Sequence, residues 1–82
     1  MSKPIVFTNK NCRGCIMVKK LFDTNGVQYK EVNLAESPGD VAILKEKGYS
    51  SAPITLFDGE FVAGFNPDKI RAIIAKVKER GE

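Results

Sequence analysis

Within the first 34 residues the spacing of apolar side chains changes period twice, and few small folds accommodate that. Ile5-Val6-Phe7 is a short, β-branched run of the kind that forms a buried strand. Polar Thr8-Asn9-Lys10-Asn11 follows, then Cys12-Arg13-Gly14-Cys15. From there Cys15, Val18, Leu21 and Phe22 recur at helical spacing, with Lys19, Lys20 and Asp23 elsewhere around the wheel. Asn25-Gly26 ends that helix, because both residues tolerate the left-handed conformation. Tyr29 to Leu34 then reads as a second strand. Strand, helix and strand within about 30 residues make a βαβ unit, with parallel strands and a right-handed crossover.

The remainder fixes the other half of the sheet. Ser37-Pro38-Gly39-Asp40 carries helix-start chemistry: a Ser cap, Pro at the first helical position, and an acid three residues after the cap. That helix is expected over 38–47, stopping at Gly48. Pro53 to Phe57 and Glu60 to Ala63, separated by Asp58-Gly59, form a hairpin, since a type I′ turn needs two residues with positive φ. Asn66-Pro67-Asp68 opens a last helix whose stripe is Ile70, Ile73, Ile74 and Val77, with Gly81 as its stop. The expected architecture is α/β, one domain over residues 1–82, in the order β-α-β-α-β-β-α. A four-stranded mixed sheet with three helices packed on it follows from that order.

Size and composition narrow the function. A chain of 82 residues supports one modest core, since a domain this small buries only about 60% of the surface its unfolded chain exposes. Hydrophobic residues at 43% and charged residues at 28% describe an ordinary globular protein. No apolar run approaches the roughly 20 residues that cross a bilayer, and no secretory signal is visible at the start. The chain is therefore read as cytoplasmic, with no membrane partner. The formal charge of +3 comes from basic residues diluted by Asp68, Glu79 and Glu82 near the end, which reads as a solvated helix rather than a nucleic-acid face.

Two cysteines and no histidine leave little chemistry to choose from. Cys12 and Cys15 stand three apart where a strand's loop opens a helix. Positions i and i+3 have Cβ atoms about 5–6 Å apart, within small adjustments of a disulfide. Closing so small a loop stabilises a fold by about 2 kcal/mol at most, so the pair suits a bond that forms and breaks better than a staple. Unpaired N–H groups and the dipole at a helix start favour a thiolate, and Lys10 and Arg13 add positive charge. Cys12 is thus the expected nucleophile, tuned by Lys10, Arg13 and Gly14, and Cys15, on the apolar stripe, the resolving thiol. Zinc needs four ligands, which this chain lacks alone; a metal or iron–sulfur cluster shared between two copies, and inert packing, remain alternatives.

With these landmarks the chain resembles the thioredoxin superfamily, and within it the glutaredoxin-like NrdH-redoxins. The matching residues are Phe7-Thr8, Cys12-Arg13-Gly14-Cys15 with Lys19 and Leu21, Ser51-Ala52-Pro53, and Ala63-Gly64-Phe65-Asn66-Pro67-Asp68. The resemblance implies a thioredoxin-like fold of glutaredoxin type and a dithiol–disulfide oxidoreductase. It further implies that Pro53 is a cis proline facing the cysteines, with the backbone of Ala52 pairing with an extended substrate segment. Gly64, Phe65 and Asp68 mark a partner or glutathione-like contact. No bound cofactor is implied beyond the redox-active Cys12–Cys15 disulfide, with electrons drawn ultimately from NADPH through a reductase. The implied partners of this monomer are thioredoxin reductase and ribonucleotide reductase or another protein disulfide, in a bacterial cytoplasm or, for a phage-encoded protein, its host's.

The sequence also departs from the family. Arg13-Gly14 between the cysteines, Val62 where Trp is frequent, Ala63 for Ser and Asn66 for Arg bear on potential and reductase recognition. Glutathione-dependent members carry Lys where this chain has Asn9, and a Gly-Gly pair where it has only Gly64. A glutathione-dependent glutaredoxin is accordingly the second reading, behind a thioredoxin-reductase-coupled carrier.

Overall fold

The computed structural model describes residues 3–49 and 52–79; the family landmark at Ser51 and the helix stop expected at Gly81 lie outside the described residues. The strands are β1 (Ile5–Thr8), β2 (Lys30–Asn33), β3 (Ile54–Phe57) and β4 (Glu60–Ala63). The helices are α1 (Arg13–Thr24), α2 (Pro38–Glu46) and α3 (Pro67–Glu79). The sheet order is β2-β1-β3-β4: β1 pairs parallel with β2 and antiparallel with β3, and β3 with β4 antiparallel.

Alternation along the central strand builds a core on each face. Val6 joins Val18 and Phe22 of α1, Ile70, Ile73, Ile74 and Val77 of α3, and Phe57 and Val62 of the hairpin. Phe7 points to the other face, against Leu44 of α2 and Ile54. The expected stripe of α3 is buried throughout, and that of α1 is buried at Cys15, Val18 and Phe22 but only half-buried at Leu21. At the hairpin tip Asp58 (φ 54°) and Gly59 (φ 79°) both take positive φ, which matches the strands' right-handed twist. Asn66 caps α3 through its Oδ1, which accepts from the Lys69 N–H at 3.2 Å.

Several boundaries differ from expectation: β2 starts at Lys30 rather than Tyr29, β3 at Ile54 rather than Pro53, and α2 ends at Glu46, one residue early. Leu34 is not a strand residue but opens a 3-10 turn, Leu34–Glu36, because the Asn33 Oδ1 accepts from the Ala35 N–H and ends the ladder. Ser37 is no side-chain cap: its N–H closes that turn onto the Leu34 carbonyl, and at φ −135°, ψ 68° its hydroxyl makes no capping bond. At the end of α1, Asn25 keeps a negative φ and donates its side-chain amide to the Leu21 carbonyl, so Gly26 alone carries the left-handed turn.

One core residue is polar among apolar neighbours. Thr55, fully buried opposite Val6 and Val62, has a hydroxyl with no hydrogen-bond partner. A buried unpaired hydroxyl costs about 1–3 kcal/mol. Thr55→Val keeps the shape and removes the hydroxyl, so urea denaturation should show stability raised by about 1 kcal/mol; an unchanged or lowered midpoint contradicts this.

Candidate active site

The loop after β1 delivers the first cysteine. Asn11 takes a left-handed conformation (φ 53°), which Asn tolerates, and turns the chain so that Cys12 becomes the N-cap of α1. The Cys12 Sγ accepts a hydrogen bond from the Cys15 N–H at 3.1 Å. This is what a cap side chain does for an orphan helix N–H, here with sulfur as acceptor. The two Cα atoms lie 5.2 Å apart and the sulfurs are joined as a disulfide. Their exposures differ: Cys12 is half-buried, whereas Cys15, one turn inside the helix, is only 2% exposed.

Pro53 supplies the opposing wall. The Ala52–Pro53 peptide is cis, and Pro53 is buried at the entry to β3. Its carbonyl accepts from the Gly64 N–H at 2.8 Å, tying the start of β3 to the end of β4. The first turn of α1 rests on this proline. A Cβ at Gly14 would stand 2.9 Å from the Pro53 Cδ, 3.1 Å from its Cγ and 3.8 Å from the Phe65 Cβ. Gly14 is therefore required by packing, and it is the point where the cysteine helix, Pro53 and Phe65 meet.

The other expected site residues are placed less tightly. Lys10 and Arg13 are exposed on either side of Cys12, and neither forms an ion pair among the described residues. Ala52 is half-buried beside Pro53. Phe65 is 37% exposed and borders a groove of about 270 Å³ with Met17, Leu21 and Pro67, rimmed by Lys20 and Arg71. Asp68 is almost fully exposed in the first turn of α3 and lies 3.9 Å from Arg71. Among the described residues no cluster of three or more Cys, His, Asp or Glu side chains converges, and no helix is long and apolar enough to cross a membrane.

One group escaped the sequence reading. The Thr8 hydroxyl, in a residue 3% exposed at the end of β1, donates to the Glu31 Oε2 at 3.0 Å, and the same oxygen accepts from the Lys19 Nζ at 3.1 Å. Only the β1–β2 register, which sets Val6 opposite Glu31, brings these residues together.

A four-stranded sheet of this order, with a CxxC pair opening its first helix against a cis proline, defines a thiol–disulfide oxidoreductase of the thioredoxin superfamily. The comparisons carry this further: the glutaredoxin family model matches residues 5–62, and the chain belongs to that family. The glutaredoxin-like protein NrdH of Lactococcus lactis is 32% identical over 65 residues, covering 79% of this chain and 90% of the relative. Its counterpart in Salmonella typhimurium is 25% identical over 68 residues, covering 83% of this chain and 84% of the relative. Among solved structures, the NrdH-redoxin of Escherichia coli superposes with a TM-score of 0.83 at 21% identity, over 87% of this chain and 93% of that one. The thioredoxin-like protein BC3987 does so with a TM-score of 0.78 at 30% identity, over 87% and 99%. The chain is thus an NrdH-like, glutaredoxin-like redox protein.

Proposed function

We propose that this protein carries electrons from thioredoxin reductase to protein disulfides, ribonucleotide reductase foremost, as an NrdH-type redoxin of the bacterial cytoplasm. The observation that carries the reading is the unequal placement of the two cysteines, one half-buried at a helix N-terminus and one fully buried a turn further in. Cys12 attacks. Its thiolate is stabilised by the Cys15 N–H it already accepts and by the helix start. Attack on a partner disulfide forms a mixed disulfide and releases one partner thiolate, which takes a proton from solvent. Cys15, as thiolate, then attacks the Cys12 sulfur, the Cys12–Cys15 bond forms, and the second partner thiolate leaves. Two electrons have passed to the partner, and a reductase returns two to reopen the bond.

Partner recognition follows from the surroundings. The backbone of Ala52 beside Pro53 offers an edge for an extended segment, while the groove of Met17, Leu21 and Phe65 offers apolar area that meets the cysteine helix at Gly14. Glutathione recognition is less well supported, because Asn9 stands where a lysine would be needed and Gly64 alone where a Gly-Gly pair would be. The E. coli NrdH-redoxin, whose fold this chain shares, is described as having a thioredoxin-like activity profile, in keeping with this reading.

The test compares NADPH oxidation, with a protein disulfide as acceptor, through two routes. Thioredoxin reductase should support turnover at least about tenfold faster than glutathione with glutathione reductase, a difference of about 1.4 kcal/mol in barrier. Faster turnover through glutathione would make the protein a glutathione-dependent glutaredoxin instead.

A further inference from the structure

The resolving thiol poses a problem that the cysteine pair alone does not solve. Cys15 must lose a proton before it can attack, yet water is excluded from it and an apolar surrounding disfavours the charged thiolate. We propose that Glu31, held by Lys19 and acting through the Thr8 hydroxyl, receives the proton of Cys15 when the mixed disulfide is resolved. The proposal rests on the dithiol reading above.

The register sets the placement. Val6 and Thr8 share one face of β1, and Val6 packs on Val18 of α1. The helix runs back along the strand from its C-terminal end, so Cys15, one turn before Val18, comes over the Thr8 end. Glu31, opposite Val6 in β2, faces the same side and reaches both Thr8 and Lys19. Lys19 follows Cys15 by four positions, on the same side of α1.

The hydrogen-bond direction makes the chain usable. A threonine hydroxyl has one proton and two lone pairs. Here that proton is donated to Glu31, which leaves the lone pairs to accept from a thiol. The path therefore runs from a buried sulfur, through a buried hydroxyl, to a carboxylate that is 43% exposed and can exchange with water. In the step, the Cys15 proton passes to the Thr8 oxygen as the Thr8 proton passes to Glu31. The thiolate closes the Cys12–Cys15 bond, and Glu31 later gives the proton to solvent. Reopening the bond runs the path backwards. Other titratable groups face Glu31 as well: Lys3, Asp23 of α1, and Tyr29, which precedes β2. Burial, then Asp23 and Glu31, push the Tyr29 phenol above its usual range, so it stays neutral while thiols titrate.

The test uses the whole protein and 5,5′-dithiobis(2-nitrobenzoate), whose coloured thiolate leaves once when Cys12 attacks and again when Cys15 resolves the adduct. In Glu31→Gln the ratio of second to first rate should fall about tenfold or more at neutral pH and recover at alkaline pH, where hydroxide takes the proton; positioned acid–base groups are typically worth 10² to 10⁴-fold. Thr8→Val should lower the ratio as much, and the double variant no further. A ratio unchanged in Glu31→Gln, one lowered equally at every pH, or additive losses in the double variant would each overturn the relay while leaving the dithiol function standing. Failure of the unaltered protein to release the first thiolate would overturn the function itself.

Discussion

Cys12→Ser protein should reduce no disulfide, whereas Cys15→Ser protein should accumulate a covalent adduct with its partner. The contrast follows from position. Cys12 is the half-buried N-cap, and its sulfur already accepts the Cys15 N–H. A serine there keeps the cap hydrogen bond and the fold but supplies an oxygen that cannot enter a disulfide. Cys15, only 2% exposed, is shielded from an incoming partner and can reach only the Cys12 sulfur. Without it the first step still occurs and the mixed disulfide has no exit. Mass spectrometry of each variant after exposure to an oxidised protein target reads both outcomes: no adduct for Cys12→Ser, one adduct per chain for Cys15→Ser. An adduct carried by Cys15 in the Cys12→Ser protein would reverse the assignment.

Gly14→Val should weaken the protein and slow its chemistry together. The first turn of α1 lies on the Pro53 ring so closely that even one added carbon would meet it at 2.9 Å. Pro53 has little freedom to move, being tied through its carbonyl to Gly64 and leading directly into β3. The helix start must therefore lift. Overpacking of this kind costs about 1–3 kcal/mol, which urea denaturation would measure. Lifting the helix start also moves Cys12 relative to Pro53, and a misplacement of about 1 Å is worth up to about 100-fold in rate. Insulin reduction should slow accordingly. A Gly14→Val protein of ordinary stability and rate would show that the contact constrains neither.

What could be read from the sequence was local. The Asp58-Gly59 turn, the Asn66-Pro67 start of α3 and the stripe of Ile70, Ile73, Ile74 and Val77 each carry their geometry within a few residues, and all are found as expected. The cysteine pair was readable for the same reason, since CxxC lies within one helical turn of a strand end. Ser37 has cap chemistry but not the cap geometry, because the turn before it, set by the Asn33 side chain, fixes its backbone first. The contact of Gly14 with Pro53 needs β3 and α1 in place, so the sequence places Gly14 among the residues around Cys12 but does not show its packing on the proline. Glu31 was hidden more deeply. Its meeting with Thr8, 23 residues away along the chain, depends on the parallel register of β1 and β2, and nothing near either residue announces it.

The account stands on a disulfide that opens and closes. Equilibration of the protein in a graded series of dithiol and disulfide buffers, followed by alkylation of free thiols and mass spectrometry, measures that behaviour without any partner protein. It should give one reversible transition in which Cys12 and Cys15 exchange two electrons together, with species that have no alkyl group or two, and none with one. Two cysteines that stay reduced across the series, or that are modified independently of each other, would contradict it.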